Sequence, residues 1–303
     1  MSFRTATDVV AYLLAFLLCA LGSAGTYAAD SKPVAAEKLP RPDHVVIVVE
    51  ENRSYSRIIG NMAAQYINGL ANRGASFTQS YAIAHPSQSN YLALFSGSTQ
   101  NVTDNSCPHR LSGDNLASAL LRAGLTFGIY SEDLPSTGYT GCVYGNYQRK
   151  HNPAVNWQGV NVPPAVNMRF SDFPSDYSKL PTVSMVVPNQ ENDMHDGAEP
   201  ATIIRGGRWL RARLDAYVQW AETHNSLLIV TWDEDDGSEG NRIPTIFVGP
   251  MVTRGVYSRR IDHYSVLRTI LDMYALPPLG NAAQAQPIDY IWRNADAGSG
   301  AGK

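Results

Sequence analysis

The sequence predicts an α/β fold with a doubly wound, mostly parallel sheet and helices on both faces. Five apolar runs rich in β-branched residues have the length of strands buried on both sides, as in a parallel sheet. Segments with apolar residues at helical spacing alternate with these runs, which is typical of this fold class. Polar clusters follow where strands end, and open α/β sheets bind their ligands at that edge.

The predicted elements follow one another along most of the chain. Strands are predicted at 44–49, 126–130, 182–187, 226–231 and 245–248. Helices are predicted at 63–73, 90–95, 115–123, 203–223 and 264–274. Residues 131–180 are rich in Gly, Pro, Asn and Tyr and show weak periodicity, so we expect a loop-rich insertion that forms a wall of the site.

The net charge and the N-terminal segment indicate the class of protein and its location. The net charge of -3 argues against a nucleic-acid-binding protein, which would carry a basic surplus. Residues 1–29 are predicted to be a signal peptide, with Arg4 before an apolar run and small residues before the cleavage site. A membrane anchor is the alternative, but the run is short for a hydrocarbon core of about 30 Å.

We therefore expect a secreted or periplasmic protein with no stable membrane anchor after cleavage. A disordered leader is predicted at 30–42, one domain at 43–294 and a flexible tail at 295–303. Cys107 and Cys142 remain after cleavage, and two cysteines in an exported protein predict one disulfide worth about 2–4 kcal/mol. Two free thiols are the alternative.

The first polar cluster directly follows the strand at 44–49. Glu50, Glu51 and Asn52 offer hard oxygen ligands suited to a divalent cation. An acidic helix cap is the alternative, because a helix N-terminus also favours negative charge. These residues alone leave both interpretations open.

The second cluster is a run of four carboxylates at 233–236, which follows Trp232. Adjacent carboxylates repel one another unless they are solvated or neutralised by a metal. An exposed acidic turn closed by Gly237 is the alternative, but the preceding apolar strand favours metal. Neighbouring side chains point in alternating directions, so Asp233 and Glu234 are the better candidates as ligands.

The third cluster, at 85–90 (HPSQSN), precedes an apolar helical segment. A hydroxyl at a helix N-terminus lies near free backbone N–H groups, which can hold a phosphate and favour an alkoxide. An N-cap serine is the alternative. On chemistry alone, Ser87 and Ser89 are both candidates for the nucleophile.

Further titratable groups lie near predicted element ends. Asp193 and His195 are expected either to bind metal or to position phosphate. His263 either caps the helix that it opens or faces the site, and His151, next to Lys150, can supply positive charge or a proton. A lone histidine is more often structural, so each of these carries little weight by itself.

Taken together, these segments resemble the bacterial phosphoesterase family of secreted acid phosphatases and phospholipases C, within the alkaline-phosphatase-like superfamily. The matching blocks stand in the expected order at 49–55 (VEENRSY), 85–97 (starting HPSQSNY), 150–153 (KHNP), 192–196 (NDMHD), 231–234 (TWDE) and 262–265 (DHYS). The resemblance implies an alkaline-phosphatase-like fold and makes 43–294 a phosphoesterase domain. The acidic run replaces the Gly-Gly of phospholipase C relatives, which favours the phosphatase branch.

The resemblance also implies a role for each matched residue. Two pairs would hold one divalent metal ion, Ser87 would be the nucleophile, and Asn90 would hold the transferred phosphoryl group. The predicted residues, grouped as catalytic, substrate-binding and metal-binding, are Ser87, His151, His195 and His263; Asn90, Lys150 and Asp193; and Glu51, Asn52, Asp233 and Glu234.

The expected function is a secreted, metal-dependent acid phosphatase that hydrolyses small phosphomonoesters through a phosphoserine intermediate. A phosphoinositide substrate is compatible with the resemblance, although no residue requires it. Diester cleavage of the phospholipase C type is the nearest alternative, disfavoured because the sequence shows no obvious lipid-binding amphipathic segment beyond the signal. A sulfatase would need a modified residue in a different motif, and a non-catalytic binding protein would have lost its nucleophile or ligands.

Overall fold

The computed structural model describes residues 39–293, and the predicted signal peptide, residues 30–38 of the predicted leader and the predicted tail lie outside them. The strands are β1 His44–Glu50, β2 Ala75–Phe77, β3 Ser80–Tyr81, β4 Phe127–Ser131, β5 Val143–Tyr144, β6 Tyr147–Gln148, β7 Asn167–Arg169, β8 Val183–Val187, β9 Ser226–Trp232, β10 Thr245–Val248, β11 Gly255–Tyr257 and β12 Ile261–Asp262. The α-helices are α1 Tyr55–Ile58, α2 Gln65–Arg73, α3 Ser87–Ser96, α4 Leu116–Arg122, α5 Ala201–Ala221 and α6 His263–Met273.

Eight strands form one sheet in the order β11–β2–β10–β9–β1–β8–β4–β7. Neighbouring strands are parallel except where β10 pairs with β9 and with β2. The chain therefore winds outward from β1 in both directions. This architecture confirms the predicted doubly wound, mostly parallel sheet.

Strand β1 shows how the sheet is covered on both faces. Side chains alternate along a strand, so Val45, Ile47 and Val49 lie in a core with α3, α4 and α6. Val46 and Val48 lie in a second core with α2 and α5. Because both faces are buried, this strand appears in the sequence as a continuous apolar run.

The predicted elements are present with shifted ends. Helix α3 begins at Ser87 rather than at 90, and α6 begins at His263 after the N-cap Asp262, whose Oδ1 accepts a 2.9 Å hydrogen bond from the Ser265 N–H. Asp262, and not His263, is thus the cap. The short strands β2, β7 and β11 were not predicted, because so few residues show no periodicity.

The sequence pattern also does not predict that β10 runs antiparallel to its neighbours in the sheet. The connection from β9 to β10 spans residues 233–244 and holds no helix. A parallel return usually needs a helix in the crossover, and this connection has none, so the chain turns back antiparallel. This connection carries the acidic run and starts at the site edge of the sheet.

The insertion at 131–180 contains β5, β6, β7 and short 3₁₀ helices, as the loop-rich composition predicts. The predicted disulfide between Cys107 and Cys142 is present, with an S–S distance of 2.09 Å. It ties the insertion to the segment before α4. Across residues 39–293, no helix is both long and apolar enough to cross a membrane.

Candidate active site

Two adjacent parallel strands bring the predicted carboxylate pairs together. β1 and β9 pair in register, with Glu50 opposite Trp232, and the Asp233 N–H donates a 2.9 Å hydrogen bond to the Glu50 carbonyl. The residues that follow these strands therefore leave the sheet side by side. Glu51 and Asp233 are fully buried there, and Glu234 is 5 % exposed.

Asn52 turns the chain at the end of β1. Its φ of 46° lies in the left-handed region, which Asn tolerates better than most residues. Its N–H donates a 3.1 Å hydrogen bond to Asp233 Oδ1. One terminal atom of its side-chain amide lies 3.1 Å from Glu51 Oε2, 3.2 Å from Glu234 Oε1 and 3.3 Å from Asp233 Oδ1. Asn52 thus sits against all three carboxylates.

The structure distinguishes the two candidate serines. Ser87, the first residue of α3, is 1 % exposed, and its Oγ lies 3.1 Å from Glu51 Oε2 and 3.1 Å from Glu234 Oε1. The Ser89 hydroxyl instead donates a 2.6 Å hydrogen bond to the Val102 carbonyl, away from the carboxylates. Of the two hydroxyls, only that of Ser87 lies beside the carboxylate pairs.

Glu51 also belongs to a second buried group. His151 Nε2 lies 3.0 Å from Glu51 Oε1, and His151 Nδ1 lies 3.5 Å from Asp193 Oδ2. Glu51, His151 and Asp193 each offer a ligand atom within 4.8 Å of the others, so this group could hold a metal ion. The sequence assigned the last two to catalysis and substrate binding and did not predict this arrangement.

The charges of this group are strongly coupled. Burial alone would raise the pKa of Glu51, but the charge and hydrogen bond of His151, with Lys150 and the Tyr91 hydroxyl, lower it to about 2. Burial opposes the charged form of His151, yet Glu51 and Asp193 raise its pKa. Burial and the Glu51 charge raise the pKa of Asp193 to about 6, against the opposing effect of His151. Glu51 and His151 thus each favour the charged form of the other.

The other two carboxylates, Asp233 and Glu234, are not paired with a buried histidine as Glu51 is. Burial raises the pKa of Asp233 well above its usual range, and the charges of Glu51 and Glu234 add to this. Burial likewise raises the pKa of Glu234, partly offset by His85. Asp233 Oδ2 is buried without a hydrogen-bond partner among residues 39–293. Carboxylate oxygens that converge in this way fit a hard divalent cation. Such a cation would bind the unpaired Asp233 oxygen and neutralise the repulsion between the carboxylates.

The loop at 192–196 presents Asp193 and His195 to the site. Between them, Met194 has a φ of 78°, and its carbonyl accepts hydrogen bonds from Arg53 Nη2 (2.6 Å) and Thr202 Oγ1 (3.1 Å). Helix α5 packs closely on this loop at Gly206, where a Cβ would lie 2.6 Å from the Met194 side chain. These contacts hold a conformation that few non-glycine residues adopt.

His195 is the accessible histidine of the predicted set. Its side chain is 30 % exposed, Nδ1 lies 2.8 Å from Asp196 Oδ1, and its N–H donates a 2.8 Å hydrogen bond to Asp193 Oδ1. Its ring centroid is 6.3 Å from that of His151. It therefore lies at the opening of the site, above the buried pair of Glu51 and His151.

Two predicted residues, Asn90 and His263, hold neighbouring segments of the main chain in place. The Asn90 amide accepts hydrogen bonds from the N–H groups of Ile83 and Ala84 (2.9 and 3.0 Å) and donates to the Ala84 carbonyl (2.7 Å), so it holds the loop before α3. His263 is 1 % exposed, and its Nε2 lies 3.0 Å from the Trp232 carbonyl oxygen. It links α6 to β9, the strand that directly precedes Asp233.

Two residues of the site were missed by the sequence interpretation. The Tyr91 hydroxyl donates a 2.7 Å hydrogen bond to Glu51 Oε1, and its ring stacks on His151 at 5.1 Å between centroids. His85 lies 2.8 Å from Glu234 Oε2 through Nδ1 and 3.2 Å from Asp235 Oδ1 through Nε2. Both stand in the block around Ser87, so their proximity in sequence was the available signal.

Solved structures share this architecture. The chain superposes on a protein of the alkaline phosphatase superfamily from Vibrio parahaemolyticus with a TM-score of 0.55, covering 83% of this chain and 70% of that one at 12% identity. Likeness at this identity shows the fold alone. The fold is thus the alkaline-phosphatase-like fold that the resemblance implied.

The chain belongs to the phosphoesterase family, whose model matches residues 62–277. It is similar to a phosphatidylinositol-3-phosphatase from Mycobacterium tuberculosis, with 52% identity over 264 residues that cover 86% of each chain. It is also similar to an acid phosphatase from Aspergillus fumigatus, with 31% identity over 72% of this chain and about half (52%) of the relative. These relatives support the predicted enzyme class, a phosphoric monoester hydrolase.

Proposed function

We propose that the protein is an exported, metal-dependent acid phosphatase that hydrolyses phosphate monoesters through a phosphoserine intermediate. One observation carries the proposal. Ser87 Oγ stands at the N-terminus of α3, 3.1 Å from one carboxylate of each strand-end pair. The helix N-terminus favours an anionic phosphoryl group, and the carboxylates orient the hydroxyl.

Four residues are proposed to hold one divalent cation: Glu51, Asn52, Asp233 and Glu234. When bound, such a cation lowers the pKa of a neighbouring hydroxyl and neutralises charge on phosphoryl oxygens. The group of Glu51, His151 and Asp193 is the alternative ligand set. We prefer the first set because its carboxylates adjoin the proposed nucleophile, with Ser87 Oγ 3.1 Å from both Glu51 Oε2 and Glu234 Oε1.

The chemistry proceeds by two in-line displacements at phosphorus. Ser87 Oγ passes its proton to a neighbouring carboxylate, Glu51 or Glu234, and forms a bond to phosphorus as the bond to the ester oxygen breaks. The leaving alkoxide takes a proton from His195. Water then attacks the phosphoserine and gives a proton to His195, the Oγ–P bond breaks, and Ser87 Oγ takes its proton back from the carboxylate as inorganic phosphate forms.

His195 is the proposed proton donor. It is exposed at the opening, where a leaving group departs, and Asp196 orients its ring. His151 is locked between two buried carboxylates, so its role is to hold Glu51 and Asp193 in place. Lys150 is partly buried and close enough to lower the pKa of Glu51, and it supplies positive charge near the phosphoryl group.

Asn90 and His263 are proposed to position the machinery rather than to touch the phosphoryl group. Three of the four hydrogen bonds available to the Asn90 amide hold the loop at 83–84. His263 contacts the main chain beside Asp233, and burial lowers its pKa, which favours the neutral ring.

The similarity over 86% of both chains to a phosphatidylinositol-3-phosphatase favours a phosphoinositide monoester as a substrate of the same site. Comparing hydrolysis of this lipid with that of a phosphocholine diester separates a phosphatase from a phospholipase C. Release of inorganic phosphate from the first and no cleavage of the second is the expected result.

The central test is hydrolysis of p-nitrophenyl phosphate by the purified protein, before and after chelation, with Ser87→Ala alongside. Activity should require a divalent cation and disappear in the variant. Ser89→Ala is the matched control, since it removes a buried hydroxyl two residues away on the same helix without touching the carboxylates. Substantial turnover by Ser87→Ala would refute the nucleophile assignment.

A further inference from the structure

The hairpin formed by β5 and β6 exposes an apolar tip. Residues 143–146 are all exposed, and Val143 and Tyr144 are each 55 % exposed. Across residues 39–293, they are the only consecutive pair among the strongly exposed large apolar side chains. The Tyr144 ring packs edge-on against Tyr139 at 6.2 Å, and the disulfide at Cys142 fixes the base of the hairpin.

Two connections join this hairpin to segments of the active site. The Asn146 carbonyl accepts a 3.1 Å hydrogen bond from the Gln190 N–H, just before the loop that presents Asp193 and His195. The chain that leaves β6 reaches His151 within one 3₁₀ turn. The hairpin is thus held against the segment that leads into the loop at 192–196 and next to the segment that carries His151.

An arginine-rich surface borders the same loop on its other side. Helix α5 carries Arg205, Arg208, Arg211 and Arg213, although the whole chain has a net charge of -3. Arg205 Nε donates a 2.7 Å hydrogen bond to the carbonyl of Glu191, the neighbour of the hairpin contact.

The remaining three arginines are available to a partner. Arg208, Arg211 and Arg213 are exposed, and no carboxylate of residues 39–293 lies within 4.0 Å of them. Arg208 and Arg213 line a surface groove of about 630 Å³ that extends to Asn192 in the site loop. Unpaired guanidinium groups concentrated in this way complement an anionic surface.

We infer that these two elements dock the protein on an anionic phospholipid bilayer, with the site loop between them. Tyrosine and apolar side chains partition into the bilayer interface, and arginines bind the negative head groups. The inference rests on the proposed function and specifies how its substrate is presented, as a phosphomonoester head group in a membrane. The sequence showed no lipid-binding segment because the surface combines residues 143–146 with α5, far apart in the chain.

The test measures binding to phosphatidylcholine vesicles with and without phosphatidylserine. The paired variant Val143→Ser and Tyr144→Ser should bind the anionic vesicles roughly tenfold more weakly, because it removes the apolar anchor. The paired variant Arg208→Gln and Arg211→Gln should lose about fivefold per arginine. Val256→Ser with Arg254→Gln is the matched control, since these exposed residues lie in or next to β11, at the edge of the sheet opposite β7, which belongs to the same insertion as the hairpin.

Turnover separates docking from chemistry. Both docking variants should hydrolyse p-nitrophenyl phosphate as the unmodified protein does, and they should lose hydrolysis of phosphatidylinositol 3-phosphate in vesicles in proportion to binding. Vesicle binding that neither variant weakens, or that does not depend on phosphatidylserine, would overturn the inference. A hairpin variant that alters self-association but not vesicle binding would assign the tip to a second copy, which also overturns it.

Failure of the proposed function would look different. Activity retained by Ser87→Ala refutes that function, whereas vesicle binding by the same variant needs no turnover and still reports on the docking surface.

Discussion

Replacing Tyr91 with phenylalanine removes one hydrogen bond at the centre of the site. The Tyr91 hydroxyl donates to Glu51 Oε1 at 2.7 Å, while its ring stacks on His151. Phenylalanine keeps the ring and the stacking, so Tyr91→Phe isolates the contribution of the hydroxyl. Because this donor helps to lower the pKa of Glu51, its loss leaves a buried carboxylate less stabilised.

The size of the effect follows from the charge of the acceptor. A hydrogen bond to a charged group contributes about 1.5–3 kcal/mol. We expect the loss of this stabilisation to lower kcat/KM by roughly tenfold to a hundredfold, since each tenfold corresponds to about 1.4 kcal/mol. The assay is steady-state hydrolysis of p-nitrophenyl phosphate at saturating divalent cation.

Tyr217→Phe is the matched control. Tyr217 is fully buried, and its hydroxyl donates a 3.0 Å hydrogen bond to the neutral Leu227 carbonyl, which is distant from the site. It should cost about 1 kcal/mol of stability and leave kcat/KM unchanged. An unchanged kcat/KM in Tyr91→Phe, with the protein folded, would refute the view that this hydroxyl supports Glu51.

Three further predictions test other features. Cys107→Ser with Cys142→Ser should lower the free energy of unfolding by about 4 kcal/mol, the chain-entropy cost for a separation of 35 residues, in urea denaturation. A reductant that leaves the unmodified protein equally stable would contradict this. His195→Gln should slow hydrolysis of alkyl phosphates by about a hundredfold but affect p-nitrophenyl phosphate much less, because nitrophenolate leaves without a proton. Equal losses on both substrates would exclude His195 as the acid. Burial lowers the pKa of His263, so the unfolded chain binds a proton that the native state does not. Stability should therefore fall below about pH 6.5, by up to about 1.4 kcal/mol per pH unit, and His263→Gln should lack this part of the thermal-denaturation profile.

Much of the fold followed from local patterns. The strand at 44–49 was predicted because burial on both faces demands a continuous apolar run, and the structure places its side chains in two cores. The helices carry their own periodicity, and α4 carries its cap, with Asn115 Oδ1 accepting from the Ser118 N–H. The direction of β10 and the three-residue strands depend on pairing partners that are distant in sequence, so no local pattern encodes them.

The predicted site residues came from motifs; residue chemistry alone left Ser87 and Ser89 equivalent, and the family resemblance pointed to Ser87. The tertiary structure separates them physically, because the helix turns Ser87 toward Glu51 and Glu234 and turns Ser89 toward the Val102 carbonyl. A one-dimensional pattern reports spacing, whereas the direction of a side chain depends on where the helix is docked.

The sequence by itself predicted the fold class, the order of the longer strands and helices, the disulfide between Cys107 and Cys142 and the chemistry available at the strand ends. Only the tertiary structure decided that Glu51 is shared between two groups, one with Asp233 and Glu234 and one with His151 and Asp193. The physical reason is that residue type and periodicity are local properties. Charge coupling and hydrogen bonding act over a few ångströms in space, between segments that the sheet brings together from opposite parts of the chain.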